Sequence, residues 1–219
     1  MAKPYYILHN YFRSTTSVRV RIALAMKGID YEYKGYSLLE GAQRSEAYLQ
    51  LNPQGLMPSL EIDGKHVLTQ SMAILEYLEE VHPAPPLLPK DALGCARVRS
   101  LCQIIAVDIH PINNLRILQY LENEFGADSE AKKDWFCEWA VAGMEALEAR
   151  LESETQTGKF CHGDNPTLAD ICLYAQMFNN TRFGVDMRPF KTIMRIQQTC
   201  ETLSAFKAGA PLNQPDAPS

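Results

Sequence analysis

Between His82 and Lys90 the chain reads HPAPPLLPK, four prolines in nine residues. Proline has no backbone N–H and a fixed φ, so neither a helix nor a central strand continues through this stretch. It divides the chain into two regions of different texture. Before it, short apolar runs alternate with helical patterns; after it, the pattern is helical almost throughout. With 219 residues, 46% hydrophobic and 21% charged, the chain can bury one large core or two small ones, and the proline break favours two. The tail from Gly209 is again Pro-rich and is expected to be irregular.

In the first region, Tyr5 to His9 is an apolar and aromatic run of strand length. Ser14-Thr15-Thr16-Ser17 offers several N-cap hydroxyls, and Val18, Ile22 and Met26 follow at helical spacing up to Gly28. Val18 to Ile22 also alternates as a strand would, but the length, the hydroxyl-rich entry and the closing glycine favour a helix. Tyr31 to Tyr33 is a second strand candidate, and Ser45 to Leu51 a short helix ended by Asn52-Pro53. Ser59 to Ile62 and His66 to Leu68 flank Asp63-Gly64-Lys65, a turn signal that makes them a hairpin. A helix follows from Ser71, with Ile74, Leu75 and Leu78 on its apolar stripe. The order βαβαββα predicts a small mixed four-stranded sheet with helices packed on it.

The second region opens with a helical pattern from Leu93 to about Phe125, bent near Pro111. Another runs from Ser129 to Leu151, with Trp135, Trp139, Leu147 and Leu151 as its expected buried positions. Pro166-Thr167-Leu168-Ala169-Asp170 reads as a helix start: Thr167 caps, and Asp170 returns a bond to the cap backbone. Pro189 to Ala208 supplies a final helix.

Charge and cysteine usage exclude several function classes. Lys plus Arg is 21 and Asp plus Glu is 26, a net charge of −5 that argues against a nucleic-acid backbone binder. An anionic small molecule held by a few local arginines stays open. No signal peptide or membrane-length apolar run is read, so a cytoplasmic protein with reduced thiols is expected. The six cysteines form no C-x-x-C pair, the five histidines show no ligand spacing, and no metal site is expected. There is no P-loop and no dinucleotide glycine fingerprint.

The string Tyr11-Phe12-Arg13-Ser14-Thr15-Thr16-Ser17, followed by Arg19-Val20-Arg21-Ile22-Ala23-Leu24, resembles the zeta class of glutathione transferases, which includes maleylacetoacetate and maleylpyruvate isomerases. The family pattern here is Ser-Ser-Cys-x-Trp-Arg-Val-Arg-Ile-Ala-Leu. Further matches are Asn52-Pro53 with Met57-Pro58, Gln70-Ser71, Asp108 to Asn114, and Arg182-Phe183-Gly184-Val185-Asp186. Thr16 stands where the family has cysteine, and Val18 where it has tryptophan.

The resemblance implies a glutathione transferase fold. Residues 1–84 would form a thioredoxin-like glutathione-binding domain, 85–90 a proline-rich linker, and 91–219 an all-helical domain completing the substrate site. It also implies glutathione as cofactor, a small dicarboxylate as substrate, and a homodimer. Thiolate addition to maleylacetoacetate, bond rotation and elimination would give the trans product. Maleylpyruvate isomerisation, general transferase activity and non-catalytic glutathione binding are the alternatives.

No cysteine precedes Cys95, so an N-terminal thioredoxin-like domain here cannot supply its own thiolate, and a ligand must bring one. By resemblance Ser14 is the main donor to that sulfur, with Thr15 and Thr16 assisting. Met57, Pro58, Gln70 and Ser71 would hold glutathione, Pro58 through a cis bond. His110 and Asn113 would line its site, and Arg13, Arg116 and Arg182 would receive the acidic substrate. Arg19 and Arg21 are read instead as makers of structural ion pairs.

Overall fold

The computed structural model describes residues 4–218. It divides into two compact units: residues up to Pro86 together with those from Leu203 on, and Leu87–Thr202. The division falls inside the proline-rich stretch. The final segment groups with the first unit, whereas the sequence expectation counted it with the helical region.

The first unit carries the expected mixed sheet. Its strands β1 (Tyr6–Asn10), β2 (Glu32–Gly35), β3 (Ser59–Ile62) and β4 (His66–Thr69) lie in the order β2-β1-β3-β4. β1 pairs parallel with β2 (Ile7 opposite Glu32) and antiparallel with β3 (His9 opposite Ser59). All five residues of this inner strand are buried. The β3–β4 turn places Asp63 at φ 53° and Gly64 at φ 65°, the left-handed pair that matches strand twist. β2 begins one residue later than the sequence suggests.

Three helices follow the sequence closely: α1 (Thr15–Met26), α2 (Glu46–Leu51) and α3 (Ser71–Val81). α1 packs on α3. Burying each large aliphatic side chain of α1, such as Ile22 or Leu24, contributes about 1.5–3 kcal/mol.

The second unit contains α4 (Ala92–Gln103), α5 (Leu115–Phe125), α6 (Ser129–Ser153), α7 (Leu168–Phe183) and α8 (Lys191–Glu201). α7 is buried along most of its length. Asp170 is fully buried and receives the Thr167 amide and hydroxyl, both at 2.8 Å, and the Cys161 amide at 2.7 Å. Its start is thus built as the sequence predicts.

Three helical expectations are corrected. The single helix over Leu93–Phe125 is two, because Pro111 cannot donate into a helix. α4 loosens into a π-helical segment, Ile104–Ile109, and Asn114 caps a new helix by accepting from the Arg116 amide at 3.2 Å. The single helix over Pro189–Ala208 is also two. The Thr202 amide and hydroxyl both donate to the Thr199 carbonyl, Leu203 turns extended, and α9 (Ser204–Gly209) starts afresh in the first unit. Trp139 is 41% exposed, since the buried stripe of α6 runs through Phe136, Ala140, Met144, Leu147 and Leu151 and leaves both tryptophans one position round.

The tail is more ordered than its composition suggests. α9 packs on α1 so closely that a Cβ on Gly209 would meet Ile22 Cγ1 at 2.4 Å. Beyond a short 3-10 turn, Pro211–Asn213, Asp216 accepts from the Phe12 amide at 3.1 Å and from the Tyr33 hydroxyl.

Candidate active site

The hydroxyl cluster sits where β1 gives way to α1. Ser14 is the N-cap of α1, in extended conformation, and its side chain accepts from the Ser17 amide at 3.3 Å. Ser14 Oγ lies 2.8 Å from Thr16 Oγ1, and Thr16 Oγ1 donates to the Met57 carbonyl at 3.0 Å. A hydroxyl has one proton, so Thr16 spends its own on Met57 and Ser14 is the donor of the pair. Ser14 and Thr16 are half-buried, while Thr15 is only 2% exposed. No acidic side chain occupies the first turn of α1, which leaves its N-terminal partial charge unopposed there.

The Met57–Pro58 bond is cis. Its approach is scaffolded by two side chains on one carbonyl: Tyr48 Oη and Asn52 Nδ2 donate to the Leu56 oxygen at 2.7 and 2.8 Å. Gln70, at the strand-to-helix junction, has φ 67°, a conformation that costs energy in a non-glycine residue and clusters at ligand sites. Its exposed amide donates to Gln54 Oε1 at 2.8 Å, and Ser71 beside it is buried at the start of α3. Arg13 is half-buried with its guanidinium carbon 5.9 Å from the ring centroids of both Tyr11 and Phe12.

Arg19 and Arg21 are each 1% exposed and make no ion pair among the described residues, which corrects the sequence expectation. Arg21 bonds the Asn10 side chain and the carbonyls of Tyr11, Phe12 and Gly209 at 2.8–3.2 Å. It therefore suspends the loop leading to Ser14. Arg19 instead donates from Nη1 to Ser71 Oγ at 3.3 Å.

The other candidates lie in the second unit. His110 follows the π-helical segment and faces Asn114, with Nδ2 to Nε2 at 3.5 Å. Asn113 is 6% exposed and donates to the Phe136 carbonyl at 3.2 Å. Phe136 stacks on Phe183 with centroids 4.0 Å apart, and the Arg182 guanidinium carbon lies 4.9 Å from the Phe183 centroid. Arg182 is exposed on the last turn of α7, and Arg116 is exposed on the first turn of α5.

The sequence model of the glutathione S-transferase N-terminal domain matches residues 4–80. The chain is 47% identical over 210 residues to the maleylpyruvate isomerase of Ralstonia sp, covering 96% of this chain and 99% of that one. It is also 47% identical to the maleylacetoacetate isomerase of Dictyostelium discoideum, over 96% of this chain and 95% of the relative. A holo maleylpyruvate isomerase described as a bacterial zeta-class glutathione transferase superposes with a TM-score of 0.95, at 47% identity, over 97% of this chain and 100% of that one. The chain belongs to the zeta class of glutathione transferases. A second solved structure, a maleylacetoacetate isomerase from Methylobacterium extorquens AM1 with bound malonate and glutathione, matches with a TM-score of 0.94 at 39% identity, over 97% of this chain and all of that one.

In this zeta-class transferase every cysteine falls within Leu87–Thr202, so the first unit has no thiol. Burial pushes the thiols of Cys137, Cys161 and Cys200 above the usual range, which suppresses their thiolates. Val18, at the family's tryptophan position, is fully buried. Among the described residues no cluster of three or more His, Cys, Asp or Glu side chains could hold a metal ion, and no helix is long and apolar enough to cross a membrane. Gln54 carries no sequence signal beyond its neighbours in the Asn52-Pro53 match, and nothing in the sequence separates the bonding of Arg19 from that of Arg21, two positions on.

Proposed function

We propose that this protein is a glutathione-dependent cis–trans isomerase of a maleyl keto acid, with maleylacetoacetate as substrate and fumarylacetoacetate as product. The observation that carries the reading is the half-buried Ser14–Thr16 hydroxyl pair at the N-terminus of α1, beside Met57, in a unit without a thiol. Those residues fit glutathione. Hydroxyl and backbone donors at a helix start favour an anion, and Ser71 opens a second helix whose first turn lacks acidic side chains.

Glutathione supplies a thiolate that adds to the conjugated double bond, permits rotation and leaves again unconsumed. Ser14 would turn its hydroxyl from Thr16 to donate a hydrogen bond to the thiolate, while Thr16 stays anchored on the Met57 carbonyl. A free thiol has a pKa of about 8.5, and lowering it by roughly two units takes about 2.7 kcal/mol. One charge-assisted hydrogen bond, about 1.5–3 kcal/mol, plus a helix terminus, about 0.3–1 kcal/mol, supplies that. Met57, Gln70 and Ser71 hold the peptide, beside Pro58. His110 and Asn113 line the glutathione site, and Thr15 supports the helix start from its buried position. Arg13, Arg116 and Arg182 receive the substrate's carboxylates and offset the charge that builds during reaction.

The protein works as a cytoplasmic homodimer without metal, nucleic acid or membrane. Maleylpyruvate is the rival substrate; it shares the maleyl end and differs only in the keto-acid remainder. Side-by-side assays of both keto acids, with and without glutathione, test the reading. Faster glutathione-dependent turnover of maleylacetoacetate is expected. Faster turnover of maleylpyruvate would reassign the substrate, and no turnover of either would remove the isomerase reading.

A further inference from the structure

Two arginines of α1 stand two positions apart, equally buried, and are treated oppositely by the fold. Arg21 has four acceptors, which engage all three of its nitrogens. Arg19 has one, Ser71 Oγ at 3.3 Å, and its buried Nε and Nη2 have no hydrogen-bond partner among the described residues. No carboxylate pairs with it among those residues either. A buried cation without a counter-charge is expensive, and proteins keep one where an anion completes it. The anion's place is indicated by the single contact Arg19 does make. Ser71 begins α3, an eleven-residue helix with no acidic side chain in its first turn, so its N-terminal partial charge is also unanswered locally. Gln70, just before it, is held at φ 67°.

We infer that Arg19 is the buried counter-charge for the γ-glutamyl carboxylate of glutathione, acting through Ser71 at the start of α3. Arg19 is a positioning residue in this arrangement. Its Nη1 occupies a lone pair of Ser71 Oγ, which turns the hydroxyl proton outward as a donor to the carboxylate. Its charge adds to that of the helix terminus on the same anion. This inference rests on the reading of the protein as glutathione-dependent and names a residue that the reading did not include. It also explains why two arginines alike in sequence and burial are bonded so differently: one holds a loop, the other awaits an anion.

The test is calorimetric titration of the full chain with glutathione and with the same peptide lacking that carboxylate, N-(4-aminobutanoyl)-Cys-Gly. Wild type should prefer glutathione. Arg19→Met should bind it about tenfold more weakly or worse, the scale of one contact to a charge, and lose most of the preference between the peptides. Arg19→Gln, which keeps an amide donor but not the charge, should behave alike and serves if the methionine variant fails to fold. Arg19→Lys should recover most of the affinity. Turnover should fall through KM for glutathione, with kcat at saturation within about twofold of wild type.

Wild-type affinity in the neutral variants would overturn the inference, as would an equal loss for both peptides or a lysine variant no better than glutamine. The isomerase reading would survive each of those results. Failure of the wild type to bind glutathione would instead remove that reading, and this inference with it.

Discussion

Ser14 Oγ lies 2.8 Å from Thr16 Oγ1 and is the donor of the pair, because the Thr16 proton is committed to the Met57 carbonyl. The two hydroxyls are therefore not equivalent toward an incoming sulfur. Ser14 can turn its proton outward by giving up Thr16, whereas Thr16 can do so only by leaving a backbone acceptor unpaired. Ser14→Ala should raise the pKa of the bound glutathione thiol by about two units, from about 6.5 to about 8.5, lowering the thiolate fraction and turnover near neutral pH roughly twentyfold. Thr16→Ala should leave thiolate formation largely intact, since it releases the Ser14 proton. Ultraviolet absorbance of the thiolate across pH checks both. Equal loss of the signal in the two variants would contradict the assignment of the donor.

The Asp216–Phe12 contact makes a second prediction about the same loop. Asp216 receives the Phe12 amide and the Tyr33 hydroxyl, while Arg21 holds the Tyr11 and Phe12 carbonyls. Asp216→Ala should cost about 1–3 kcal/mol, because both donors lose their acceptor. The Phe12 amide should show the greatest acceleration of hydrogen exchange. Unchanged protection of Phe12 would mean that the tail does not brace the loop.

These two relationships mark where the sequence stops being readable. The Ser14 cap, the Asp63-Gly64 turn and the Thr167–Asp170 box each involve residues a few positions apart, and each leaves a local residue-type signature. Asp216 and Phe12 are 204 positions apart, and the acceptor is one carboxylate in a Pro-rich tail. The bonding of Arg21 leaves no mark in the sequence, because most of its partners are backbone carbonyls, which every residue has, whereas an ion pair would need a carboxylate. The break after α8 depends on how Thr202 bonds Thr199, a rotamer choice that apolar periodicity does not report. Fold class was legible through pattern and resemblance. The distinction between Arg19 and Arg21 required the acceptors around each.

In the second unit, Glu154 is bound by Arg150 Nε at 2.7 Å and Arg97 Nε at 2.5 Å; Arg97 also bonds the Cys161 carbonyl and Thr157 Oγ1. Arg150 foremost, and then Arg97, hold the Glu154 carboxyl below the usual glutamate range. A depressed folded-state pKa gives stability that is present above the ordinary value of 4.5 and lost as pH falls through the folded value. Glu154→Gln should therefore destabilise the protein by about 1–3 kcal/mol at neutral pH. Denaturant titrations should show that difference shrinking as pH falls below 4.5. A pH-independent difference would point to lost hydrogen-bond geometry instead of lost charge.

Arg182, proposed above to receive a substrate carboxylate, offers the sharpest test that separates substrate binding from glutathione binding. Its guanidinium lies over Phe183, which stacks on Phe136, the residue whose carbonyl takes the Asn113 amide. A planar cation held on a ring presents a rigid fork to a carboxylate. Arg182→Ala should lower kcat/KM for the keto acid roughly ten- to a hundredfold, the worth of hydrogen bonds to a charged group, with the glutathione Kd unchanged. Arg182→Lys should rescue little, because an ammonium has neither the fork nor the flat face that stacks. Arg116→Ala should cost less, since Arg116 is exposed at the start of α5 with no ring contact among the described residues to hold its orientation. Loss of glutathione affinity in Arg182→Ala with isomerisation at saturating glutathione preserved would refute this division of labour.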